Sequence, residues 1–143
     1  MSYARVMIHA VWGTKNKMPF LTSELRAKVI FHIKENAHQK QIYIDTINGY
    51  TEHMHCLFGL NADMSIAKTL HLIKGESSHW INKNELVKPK FEWADEYYAV
   101  SVSESVLFKV RRYIQDQEEH HKKVSFAQEC EAFLSRFAVQ IGG

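Results

Sequence analysis

Two residue patterns in this chain have the makings of reactive chemistry: His53-Met54-His55, and Tyr113 with Gln117 four positions further on. In a strand, alternate side chains share a face, so both imidazoles would point one way and Met54 the other. Their Cβ atoms would lie roughly 7 Å apart, twice the rise per residue, which lets both rings converge on one cation. On a helix, positions four apart share a face, so Tyr113 and Gln117 would be presented together. Two imidazoles and a neutral amide oxygen leave room for water and phosphate oxygens. That set suits Mn²⁺ or Mg²⁺ better than a closed structural zinc site. A phenol with a pKa near ~10 is a poor nucleophile without help. A divalent metal that polarises and orients a phosphate would supply that help. Attack by Tyr113 would leave a phosphotyrosine linkage and a free 3′-hydroxyl, and would conserve the phosphodiester energy so that rejoining needs no ATP. Plainer readings stand beside these: partly exposed histidines near a turn, and a core tyrosine continuing the apolar stripe of Val106 and Val110.

The elements that must position these residues follow from patterning. Residues 3–12 are rich in β-branched and aromatic side chains and predict a strand with apolar residues on both faces, as suits a central strand. A basic loop carrying Lys15 and Lys17 follows. Thr22 or Ser23 then caps a helix to about Gln39, with Leu25, Val29 and Ile33 as its buried stripe. The segment from Gln41 to Tyr50 predicts a strand whose Asn48-Gly49 is a hairpin signal, with residues 53–60 as its antiparallel partner. Ser65 opens a second helix with Ile66, Leu70, Ile73 and Trp80 near one face. Residues 97–103 predict a short strand, and Ser103 caps a third helix running to about His121. A last short helix covers 125–138. The order predicts an α+β fold in which helices pack on one face of an antiparallel sheet.

The 143 residues fit one compact domain, and their composition (45% hydrophobic, 24% charged) excludes disorder or low complexity. No apolar run approaches the ~18 residues that span a bilayer, and the N-terminus lacks a signal-peptide pattern. Cys56 and Cys130 show no metal spacing and read as reduced thiols, which points to a cytoplasmic protein. The net charge of +2 permits nucleic-acid binding without arguing for it. Lys15, Lys17, Lys68, Lys74, Arg111 and Arg112 are candidate phosphate contacts, with an ordinary surface cation the plainer reading of each. Trp12 and Tyr50 could stack unpaired bases, but core packing is the better reading.

Several segments, in order, resemble the insertion-sequence 200/605 family of single-tyrosine HUH transposases. They are HAVWGTKNKMPFL (9–21), GYTEHMHCLFGL (49–60), SIAKTLHLIKGESSHWIN (65–82), FEWADEYYAVSVSES (91–105) and YIQDQEEHH (113–121). The resemblance implies a ferredoxin-like or RRM-like HUH fold and an enzyme that cuts and rejoins single-stranded DNA beside short hairpins. It implies Tyr113 as nucleophile, and His53, His55 and Gln117 around a divalent Mg²⁺ or Mn²⁺. It also implies a homodimer, with no membrane and no nucleotide cofactor. A non-cleaving hairpin-binding protein is the alternative. Glu52 stands where the family commonly has aspartate; either carboxylate can orient an imidazole. Residues 1–143 then form a single HUH domain whose last ~20 residues, within the usual boundary error, are a C-terminal helical extension. His120 and His121 there are candidates for DNA or metal contact, with surface positions the plainer expectation.

Overall fold

A computed structural model describes residues 2–142, with side chains as far as residue 135. The elements are β1 (Met7–Gly13), α1 (Ser23–Gln39), β2 (Tyr43–Gly49), β3 (His53–Gly59), α2 (Ile66–Lys83), β4 (Tyr98–Val102), α3 (Leu107–Gln115), α4 (Gln117–His120) and α5 (Phe126–Gly142). The four strands form one antiparallel sheet in the order β2-β3-β1-β4. This is the βαββαβ ferredoxin-like arrangement, with β1 central as its two apolar faces require. Thr22 Oγ1 accepts from Leu25 N at 3.4 Å and Ser65 Oγ from Lys68 N at 3.0 Å, so both caps start their helices where the sequence places them. Among the described residues no helix is long and apolar enough to cross a membrane.

The strand alternation sorts the sheet into two different faces. Ile8, Ala10 and Trp12 of β1 and Met54, Cys56 and Phe58 of β3 pack with Val29, Ile33, Leu70 and Ile73 of α1 and α2. Burial of each of the valine, leucine, isoleucine, methionine and phenylalanine side chains among them contributes about 1.5–3 kcal/mol. The opposite face carries Met7, His9, His53, His55 and Leu57. There Leu107 and Ile114 of α3 close a smaller apolar cluster on Met7 and Leu57. The α+β class is therefore as expected, but the helices are divided: α1 and α2 cover one face, while α3 and α5 lie on the other.

Three local boundaries differ from the patterning. β1 begins at Met7 rather than Tyr3, because its neighbours run out there, with Gly59 and Val102 both opposite Met7. β2 ends at Asn48-Gly49, as the hairpin signal places it, rather than running on to Tyr50. Gly49 has no positive φ, and a Cβ on it would lie 2.1 Å from the His53 carbonyl oxygen. Glycine is needed there for close strand approach. The tyrosine helix is broken at Asp116 (φ −95°, ψ 24°). Gln117 begins α4, and its side-chain amide donates to the Tyr113 carbonyl at 3.0 Å, the acceptor an unbroken helix would offer to the Gln117 backbone N–H.

Candidate metal and nucleophile site

β3 sets the site. His53 and His55 project from the face opposite Met54 and Cys56, and both are fully buried. α3 is fixed over them by Leu107 and Ile114, and by Arg111, whose Nε and Nη2 each donate to a carboxylate oxygen of Asp45 on β2 at 2.8 Å. α4 is held by the buried Arg26 of α1, which pairs with Glu118 at 2.5 Å. α5 starts with a reciprocal capping box: Gln128 N donates to Ser125 Oγ at 3.1 Å, and Ser125 N to Gln128 Oε1 at 2.9 Å. Its Phe126 ring lies flat on His53 (centroids 4.1 Å apart, 1° between planes). Gly13 makes room for that ring, since a Cβ there would meet Phe126 at 2.9 Å.

The structure brings His53, His55, Gln117 and Tyr113 into one pocket. His53 Nε2 lies 3.1 Å from Gln117 Oε1, and the Tyr113 and His55 rings are 5.5 Å apart. Three further groups close the pocket. His121 Nε2 sits 3.0 Å from Gln117 Oε1. Glu129 Oε1 is 3.0 Å from His55 Nε2, while its Oε2 accepts the Tyr113 hydroxyl and lies 3.0 Å from His120 Nε2. His9 Nε2 lies 2.9 Å from His55 Nδ1.

Electrostatics here are strongly perturbed. Burial, with His55 adding to it, pushes His9 down to about 3. Burial likewise takes His55 down to about 4 against the pull of Glu129. For Glu129, burial acts upward but is outweighed by His121, His55 and Tyr113, which hold the carboxyl well below the usual carboxylate range. Glu52 is lowered too: burial acts upward, but the hydrogen bond and charge of His53, with Thr51 and His121 adding to them, together outweigh it.

Donor and acceptor accounting tests whether these residues suit a metal. His53 Nδ1 faces the Glu52 carboxylate at 2.7 Å, and its Nε2 faces the Gln117 carbonyl. His121 Nδ1 faces the Val124 carbonyl at 2.7 Å, and its Nε2 faces the same Gln117 oxygen. The Tyr113 carbonyl fixes that amide orientation by taking the Gln117 NH₂. A neutral imidazole has one N–H to donate, so each of these rings meets one acceptor too many. A cation between the Nε2 atoms and the oxygens resolves both conflicts. The ligand atoms of His53, His55, His121 and Glu129 all lie within 4.8 Å of one another, and the outer nitrogens are anchored as metal-binding histidines usually are. The residues fit a divalent ion.

Sequence reasoning left His9 without a role and did not single out Glu129. The available signal was a buried-type stripe on α5, Phe126-Glu129-Phe133, in which a carboxylate interrupts aromatic residues at helical spacing. Tyr50, read as core, stacks on His121 at the rim (5.3 Å), whereas Trp12 is core. Of the basic candidates, Lys15 pairs with Glu92 at 2.9 Å, and Lys74 donates to the Ala94 and Asp95 carbonyls at 2.7 and 3.3 Å. Both line a cleft of about 540 Å³ with His71, Lys90 and Tyr97. None of the histidine-site residues lines that cleft. Lys17, Lys68 and Arg112 are exposed, and Arg111 is engaged with Asp45.

Residues 2–117 match the family described as "Transposase IS200 like", and the chain belongs to that family. A protein from Deinococcus radiodurans assigned as a transposase shares the fold, with a TM-score of 0.66, 20% identity, and coverage of 81% of this chain and 93% of that one. So does a REP-associated tyrosine transposase whose structure holds a REP hairpin, with a TM-score of 0.64, 18% identity, and coverage of 87% and 73%. No curated protein matches the chain. The protein is thus an IS200-like transposase by family, with the ferredoxin-like fold of those two structures.

Proposed function

We propose that this transposase cleaves and rejoins single-stranded DNA beside hairpins, through a 5′-phosphotyrosine intermediate on Tyr113. The observation that carries this reading is the common pocket: the only tyrosine on α3 presents its hydroxyl beside the His53-Met54-His55 pair of the same chain. His53, His55 and Gln117 would hold Mg²⁺ or Mn²⁺, which supplies Lewis-acid polarisation and charge neutralisation at a phosphate. The remaining work falls to the chain. Tyr113 Oη forms a bond to phosphorus as the phosphorus–O3′ bond breaks; the Glu129 carboxylate orients the phenol, whose proton is given up to solvent, and the departing 3′-oxygen takes a proton from solvent to end as a hydroxyl. Reversal by another 3′-hydroxyl rejoins the strand. Asp45–Arg111 and Ile114 keep the tyrosine helix in register during both steps.

Lys15, Lys17, Lys68, Lys74 and Arg112 are proposed as backbone contacts, with the 540 Å³ cleft of Lys15 and Lys74 as the seat for part of the DNA, whereas Arg111, held by Asp45, is proposed as a clamp on the tyrosine helix. The hairpin as ligand is supported by the fold's likeness to a protein bound to one. A cytoplasmic homodimer is the assembly proposed, and light scattering on the purified chain tests it.

A second reading, a hairpin-binding protein that does not cleave, has one observation in its favour. Phe126 and Glu129 leave His53 and His55 with no exposed surface. The deciding experiment incubates purified protein, Mn²⁺ or Mg²⁺, and single-stranded DNA bearing the hairpin-containing flanks of its own gene, followed by a denaturing gel. A covalent band lost in Tyr113→Phe and with chelator is the expected result. Hairpin binding with no band in either metal would favour the second reading.

A further inference from the structure

We propose that the C-terminal helix completes the metal centre: Glu129, together with His121, joins His53 and His55 as a direct ligand, making a site of three imidazole nitrogens and one carboxylate. This rests on the divalent-metal reading above and changes its composition. The four ligand atoms lie within 4.8 Å of one another, although two of the residues come from β3 and two from the segment after α4. Glu129 is 4% exposed, and its Oε1 is 3.0 Å from His55 Nε2 and 3.5 Å from His53 Nε2. The other oxygen accepts the Tyr113 hydroxyl. One carboxylate therefore spans the metal pole and the nucleophile, so the same side chain binds the ion and positions the phenol.

The placement is built into the sequence. The Ser125–Gln128 capping box starts α5, Phe126 seats it on His53, and the missing Cβ of Gly13 admits that ring. Each imidazole has its Nδ1 engaged by an outer partner, Glu52, His9 or the Val124 carbonyl, leaving Nε2 directed inward. Gln117, whose oxygen touches both His53 and His121, then braces two ligands from between them. Nitrogen-rich sets favour transition cations, and Mg²⁺ prefers oxygen and retained water. The site so composed selects Mn²⁺ over Mg²⁺.

The test is Mn²⁺ titration of the full chain, read by the loss of the free-ion EPR signal, with electron spin-echo modulation reporting bound ¹⁴N. Glu129→Gln, which keeps shape and removes charge, should weaken Mn²⁺ binding by about tenfold or more, since outer-shell partners alone are worth that much. Glu131→Gln, an exposed neighbour on the same helix, should bind as wild type does. Melting in EDTA checks that each variant is folded. Unchanged Mn²⁺ affinity in folded Glu129→Gln, or ready displacement of Mn²⁺ by equimolar Mg²⁺, would overturn the proposal. If instead the wild-type chain binds no Mn²⁺, or binds it as well after His55→Ala, the underlying metal reading is what fails.

Discussion

Arg111 offers two incompatible jobs, and a pair of substitutions separates them. As a phosphate contact it would act on DNA; as the structure places it, it clamps the tyrosine helix to β2 through two 2.8 Å hydrogen bonds to Asp45. Asp45 is nearly buried and Arg111 is 39% exposed at the side chain. The pair is bidentate and charge-assisted, but solvent at the arginine end screens it, so its contribution is modest. Asp45→Asn and Arg111→Ala should each lower the melting temperature by roughly 1–4 °C for a chain of this size. The double variant should lose little more than either single one, giving a resolvable coupling in a double-mutant cycle from urea unfolding. The hydrogen bond from Arg111 holds the Asp45 carboxyl below its ordinary value. Its contribution is therefore fully present above the unfolded value of ~3.9 and is lost as pH falls through the lower folded value. Stability of wild type and Asp45→Asn should converge in that acid window and diverge above it. Additive losses, or an Arg111→Ala effect confined to DNA binding with a salt slope reduced by about 0.7, would refute the clamp.

Three further expectations follow from packing and charge. Gly49→Ala would force a methyl to within 2.1 Å of a backbone oxygen beside His53, and should cost about 3 kcal/mol or more in chemical denaturation. Ile114→Ala empties a fully buried position under α3 and should cost about 2–4 kcal/mol, with adduct formation slowed more than hairpin binding. Lys74→Ala gives up the hydrogen bonds to the Ala94 and Asp95 carbonyls and should lower the melting temperature by a few degrees; if that cleft seats DNA, the dependence of log affinity on log salt should also flatten by about 0.7–0.9 in fluorescence anisotropy.

How much of this was legible in the sequence depended on the range of the forces involved. The helices α1 and α2, with their Thr22 and Ser65 caps, and the pairing of β2 with β3 follow from local periodicity and were readable. The break at Asp116 was not, because it depends on where the Gln117 side chain finds an acceptor after folding. The hairpin at Asn48-Gly49 was readable as well, but the reason for the glycine was not: it answers to the backbone of the neighbouring strand, which a Cβ would strike. His53, His55, Tyr113 and Gln117 were singled out by spacing and resemblance, and the fold collects them in one place. Glu129 lies outside every matched motif. Nothing in its neighbours' types announces that Phe126 will dock on His53, since that contact depends on Gly13, more than a hundred residues earlier.

The two faces of β3 show why the site tolerates so little slack. Met54, Cys56 and Phe58 fill the main core while His53, His55 and Leu57 face the tyrosine helix. A slip of one residue against β1 would exchange the sets, driving two imidazoles into hydrocarbon and three core side chains into a polar pocket. The hydrophobic pattern that stabilises the sheet therefore also fixes where the histidines point, and no separate device is needed to orient them. The tyrosine has no such guarantee. α3 is tied to the sheet by a small cluster of Leu107 and Ile114 with Met7 and Leu57, by the Asp45–Arg111 ion pair, and by the Asn48 amide, which donates to the Gln115 carbonyl at 3.1 Å. Weakening those ties should degrade chemistry before it degrades the fold. Ile114→Ala and Asp45→Asn should accordingly keep the wild-type hairpin affinity at temperatures where their covalent adduct has already declined.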